Sequence, residues 1–136
     1  MSESASWSLQ KSIVQALKSD VGLSSLLGGS FVYDFVPQRA AYPFVSLGNV
    51  VARDWSTSSE RGDEHALTLH IWSKARGKKQ CHEIISTVRR VLHDVGLVVE
   101  DHSLVNLRHE FSDVRLDPDG ETFHGIVRFR AVTELL

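Results

Sequence analysis

The sequence predicts an α+β fold, a largely antiparallel (mixed) β-sheet of about five strands with two main helices packed on one face. Three observations predict it. Residues 78–94 place Cys81, Ile84, Ile85, Val88, Val91 and Leu92 at helical spacing. Residues 64–77, "EHALTLHIWSKARG", alternate with the period of a strand. The last third reads as two long alternating arms around "DPDG", a turn signal at 117–120.

Taken in order, Ser6 or Ser8 is placed to cap a first helix reaching about residue 18, with Leu9, Ile13, Val14 and Leu17 as its apolar stripe. Asp20 and Gly22 end it. "LSSLLGG" adds a short helical turn closed by Gly28 and Gly29, and "FVYDFV" an extended segment stopped by Pro37. "FVSLGNVVARDW" is a strand in which Gly48 marks a bulge or kink. The polar stretch 56–64 is expected to be a projecting hairpin loop, and residues 1–7 a flexible N-terminus.

Within the next strand, His65, Leu67, Leu69 and Ile71 share one face and Thr68, His70 and Trp72 the other. His65 and His70 are therefore on opposite sides and cannot share a metal. Gly96 is the expected stop of the long helix, with His93 in its last turn near the dipole's negative end. In the final hairpin Val105, Leu107 and Phe111 alternate with Asn106, Arg108 and Glu110. Phe123, Val127, Phe129 and Ala131 alternate with His124, Ile126, Arg128 and Arg130. The face without helices should carry Thr68, His70, Trp72, Arg108, Glu110, Arg128 and Arg130, a mixture that suits solvent or another subunit.

At 136 residues, 42% hydrophobic and 24% charged, the chain has the balance of one soluble globular domain spanning residues 1–136. A formal charge of -2 gives no general attraction to nucleic acid or to an anionic membrane. No apolar run approaches the roughly 20 residues of a bilayer span, and no signal peptide opens the chain, so synthesis in the cytoplasm is expected. The single Cys81 lies on the apolar stripe of the long helix and reads as a core residue.

Catalytic signatures are few. "HEIIS" at 82–86 lacks the second histidine of the zinc motif H-E-x-x-H, which leaves His82 and Glu83 as exposed helix residues. No nucleophile elbow or phosphate-binding glycine loop occurs. Asp113, Asp117, Asp119 and Glu121 do not follow calcium-loop spacing, and turn chemistry accounts for 117–120. His109 and His124, with Glu110 or Asp113, are the one candidate metal site, and alternation splits them between faces. No catalytic residue, no metal site and no cofactor is expected. The competing readings are a small metal-dependent enzyme and a monomeric protein-binding module.

"LQKSIVQAL", "VYDFVPQRAAYPFVSLG", "DWSTSSERGDEHALTLHIWSKARG" and "LVNLRHEFSDVRLDPDGETFHGIVRFRAVTE" together resemble the small tail-completion, or tail-terminator, proteins of long-tailed bacteriophages, prophages and gene transfer agents. The resemblance runs from about residue 9 to residue 134. It implies a mixed α/β sandwich and a non-enzymatic virion protein. Such a protein forms a ring, usually hexameric, on the last ring of the tail tube, stops its growth and joins it to the head connector. It also implies assembly in the bacterial host cytoplasm, a final place at the head-proximal end of the tail, and DNA that only passes through the ring. A closed ring needs one patch to meet a different patch on the next copy. Trp55, Trp72, Arg108, Arg128 and Arg130 are the candidate interface residues, because buried aromatics and arginines dominate interface energy.

Overall fold

A computed structural model describes residues 4–136. Helix α1 (Ala5–Ser19) starts earlier than either predicted cap, because the Ser4 hydroxyl accepts the Trp7 N–H at 3.1 Å. Of the expected flexible segment, residues 1–3 lie outside the described residues, and residues 5–7 form the first turn of α1. Asp20 ends α1 and caps α2 (Val21–Leu27), its carboxylate accepting the Leu23 N–H at 2.9 Å. The same carboxylate takes the Arg90 guanidinium at 2.8 Å, a bond that holds its pKa below the usual range and ties α2 to the long helix. Gly28, left-handed at φ 81°, closes α2.

The extended segment after α2 is reduced to β1 (Val32–Tyr33), which pairs in parallel with β2 (Phe44–Asp54). β2 continues into β3 (Gly62–Ser73) through a loop of residues 55–61, shorter than expected. The Trp55 N–H donates to Gly62 O at 2.9 Å, and the Leu135 N–H donates to Arg61 O at 2.9 Å, so the loop is held against the end of the last strand. After α3 (Lys79–Leu92), β4 (His102–Leu116) and β5 (Phe123–Leu135) form the predicted long hairpin. The five-stranded sheet runs β1-β2-β3-β5-β4, antiparallel except at β1.

The core lies between the helices and one face of this sheet. Leu9, Ile13 and Leu17 of α1 and Cys81, Ile84, Ile85, Val88 and Leu92 of α3 pack with Leu67, Leu69, Ile71, Val127, Phe129 and Ala131. Gly125 permits the close approach of α3, since a Cβ there would lie 3.2 Å from Ile85 Cδ1. The Cys81 thiol is fully buried, and burial pushes its pKa up, as a core thiol requires.

Two expectations are corrected here. α3 runs to Leu92, close to the expected end near Asp94, but Gly96 is not its stop, because the chain turns at His93 and Asp94 (φ 55°) to meet β4. The Asp94 N–H donates to Leu107 O at 2.8 Å and the His109 N–H to His93 Nδ1 at 2.9 Å, which occupies the outer edge of β4 at mid-length. Phe111 does not share the core face with Leu107. β4 bulges between Leu104 and Asn106 and again between His109 and Phe111, and the second extra residue, Glu110, turns Phe111 to the opposite face, beside Arg128.

Candidate interaction surface

The face of the sheet away from the helices presents two clusters of aromatic rings, here called ridges, the first of them capped by an arginine. The upper ridge is Trp55, Arg130 and Glu64. Arg130 lies across from Ala66 and diagonal to Glu64; its Nε donates to Glu64 Oε2 at 2.7 Å, while its guanidinium covers the Trp55 ring at 5.3 Å. Trp55 remains 54% exposed, an apolar plate with one side still open to water.

The lower ridge is His70, Trp72 and His124. Strand pairing sets Trp72 directly opposite His124, and the two rings stack at 3.9 Å and 7°. The indole N–H of Trp72 donates to Ser46 Oγ at 3.2 Å. His70 Nδ1 and His124 Nε2 are 2.7 Å apart. Their ring centroids are 4.9 Å apart, so the contacting nitrogens lie between the centroids and the imidazoles meet nitrogen to nitrogen. Space for His70 comes from Gly48, where a Cβ would stand 2.5 Å from His70 Nε2.

Between the ridges is a shallow depression of about 340 Å³ with Ala66 and Thr68 among its lining, and with Arg53, Arg128 and Arg130 as well as Glu64 and Glu110 around it. Arg128 also covers Phe111 at 5.2 Å. Of the five candidate interface residues, Trp55, Trp72, Arg128 and Arg130 thus gather on this face. Arg108 sits opposite Arg130, but its Nε reaches Asp94 at 3.5 Å beyond the β4 edge.

The two histidines of the candidate metal site, His109 and His124, are not brought together. His109 makes an edge contact with Phe129 on the core side and bonds Ser112 Oγ at 2.7 Å, whereas His124 is on the open face. Both carboxylate oxygens of Asp119 are taken by the Thr122 hydroxyl and the Glu121 and Thr122 N–H groups. Among the described residues no group of three or more His, Cys, Asp and Glu side chains is disposed to hold a metal. No helix is long and apolar enough to cross a membrane among the residues described.

Sequence reasoning missed the His70–His124 pair, although it had both residues on the open face, because the contact depends on register across β3 and β5. It also missed Phe111, whose position follows from an unannounced bulge, and Phe35, which stands 90% exposed in the loop after β1.

Burial pushes the pKa of His65, His70, His109 and His124 below the ordinary value of 6.5. The unfolded chain then binds more protons than the native one once the pH falls beneath 6.5, so this part of the stability is complete above pH 6.5 and lost on acidification. Urea midpoints at pH 7.5, 6.5 and 5.5 should fall in that order, the larger drop lying below 6.5. A midpoint that rises toward pH 5.5 contradicts the neutral buried state of these rings.

The architecture is a sheet covered by helices on one face, with the other face left bare. The chain belongs to the tail completion protein gp17 family, whose model matches residues 11–134, and it is accordingly a structural protein of a phage-type tail. It is 28% identical to tail completion protein gp17 of Bacillus phage SPP1 over 126 residues, covering 93% of this chain and 92% of that protein. Its structure is similar to a chain in the virion of a native gene transfer agent particle, with TM-score 0.89 and 27% identity, covering 98% of this chain and 99% of the other. That correspondence agrees with the gene-transfer-agent and phage-tail resemblance read from the residues.

Proposed function

We propose that this chain is a tail terminator that closes into a ring of six copies on the last ring of the tail tube, stops tube growth and offers the head connector its docking surface. The observation that carries this reading is the bare sheet face, where exposed Trp55 and the arginines around the depression make a contact surface outside the folded core. Trp55, Trp72, Arg128 and Arg130 form the subunit or tube interface, with Arg108 at its rim. DNA passes through the lumen without being gripped, in keeping with a net charge of -2. The protein assembles in the bacterial host cytoplasm and ends at the head-proximal end of the tail.

Native mass spectrometry over a concentration series tests the ring. A species near six times 15.2 kDa is expected, free of metal. A monomer holding stoichiometric zinc overturns the reading in favour of an enzyme, and a monomer that also fails to cap tail tubes overturns it in favour of a simple binding module. A single substitution probes the face itself. Trp55→Ala removes a half-exposed side chain and should change the unfolding free energy by less than about 1 kcal/mol. It should weaken self-association or tube capping by about thirtyfold, the loss of a hot-spot residue worth about 2 kcal/mol. Unchanged assembly would remove Trp55 from the interface.

A further inference from the structure

We propose that the His70–His124 pair is a proton latch that sets the shape of the bare face: it stays closed with up to one added proton and is forced open by a second.

The chemistry follows from the contact between nitrogens. In the neutral pair one ring supplies an N–H and the other a lone pair to the 2.7 Å His70 Nδ1···His124 Nε2 bond. Each ring keeps its other nitrogen outside the contact. A first added proton settles on the outer nitrogen of the donor ring, the one bare nitrogen outside the contact, and the bond survives as an imidazolium donating to an imidazole, a stronger bond than the neutral one. A second added proton must occupy the remaining lone pair, which is the acceptor itself. Two N–H groups on two cations then face one another, and the rings must part.

The surroundings make that parting consequential. His124 cannot move without leaving the face of Trp72, on which it lies at 3.9 Å. His70 cannot retreat toward β2, because its ring already fills the space over Gly48. Opening the latch therefore moves His124 outward, uncovers the indole and places two positive charges near a depression lined by three arginines and by Glu64 and Glu110, of which Glu64 is paired with Arg130. The charged groups that face the pair do not cancel this. From β4, Arg115 opposes a charged His124 and Asp113 favours it, the two being paired with each other at 2.6 Å; from the following turn, Asp117 also favours it, so the three groups together offset only part of two added charges. Along β5 the next charge on the face is Arg128, and from β3 Lys74 lies over Tyr42 near Glu121. The neighbouring residues of β2, Ser46 and Gly48, bring no charge.

The consequence for assembly rests on the ring reading above: subunits docked on the closed face at neutral pH separate when the face opens in acid. The test therefore has two readouts. Histidine side-chain ¹⁵N NMR of the full chain from pH 8 to pH 4 should show His70 and His124 titrating together in two steps separated by more than about one pH unit, as coupled sites do. The Trp72 indole N–H resonance should move with the second step. In His124→Gln, His70 should titrate in one step. Independent single-step curves for the two histidines in the unmodified chain, or a His70 curve unaltered by His124→Gln, overturn the latch. Native mass spectrometry on the same samples should show the assembled species losing at least tenfold of its population across the second step, with a flat profile in His124→Gln. A latch that titrates as described with an assembly indifferent to pH overturns the gating. Absence of any assembly at neutral pH, by contrast, counts against the ring, and the NMR titration curves still decide the latch.

Discussion

Replacing Phe129 by alanine is expected to lower the unfolding free energy by about 3–5 kcal/mol, the largest single-truncation effect expected for this chain. Phe129 is fully buried at the centre of β5, flanked by Leu67 on β3 and His109 on β4, with the helices above it. The His109 ring meets it edge-on at 5.7 Å and 80°, so truncation also removes an aromatic contact. β5 is hydrogen-bonded on both sides and cannot shift to fill the void, which keeps the cavity cost high. Urea unfolding should show a lower midpoint with an unchanged slope, the sign that stability rather than native compactness has changed. Phe129→Leu, which retains most of the volume, should cost less. A midpoint change under about 1 kcal/mol for the alanine variant would mean that the core does not close around this ring.

The parts of the fold that could be read in advance are those where a single period runs uninterrupted. α3 buries Cys81, Ile84, Ile85, Val88 and Leu92 as its spacing predicts, and β3 buries His65, Leu67, Leu69 and Ile71 while keeping Thr68, His70 and Trp72 on the other face. Reading failed where the period is broken by a feature with no residue signature. Glu110 and Val105 are the extra residues of the two β4 bulges, and neither is a glycine, so the flip of Phe111 had nothing to announce it. The choice of Gly96 as the stop of α3 failed for a different reason. Gly96 is a sound local stop, but His93 and Asp94 gain bonds to the edge of β4, and a tertiary contact outweighed the local preference. The candidate surface was legible as a set of residues on one face and illegible as an arrangement. Alternation assigned Trp72, Arg128 and Arg130 to the bare side; only register could show that His124 lies on Trp72, that Arg130 reaches Trp55 and that His70 meets His124.

Gly48→Ala joins the fold to that surface, and it is expected to cost about 1–3 kcal/mol, the range for overfilling a packed site. The β2 bulge between Leu47 and Val50 places Gly48 against His70, and an added methyl would approach His70 Nε2 to 2.5 Å, its Cδ2 to 2.8 Å and the Thr68 carbonyl to 3.0 Å. The carbonyl belongs to the backbone of β3 and cannot withdraw without breaking the sheet. The imidazole cannot swing freely either, since its other nitrogen is held by His124. Relief must come from displacing His70, which breaks the N–H···N bond and disturbs the stack of His124 on Trp72. The alanine variant should therefore show a lower urea midpoint together with altered His70, His124 and Trp72 side-chain resonances at neutral pH, a combination that simple loss of core packing does not produce. A variant as stable as the parent, with those three resonances unmoved, would show that β2 relaxes at the bulge and that Gly48 is not what holds the lower ridge in place.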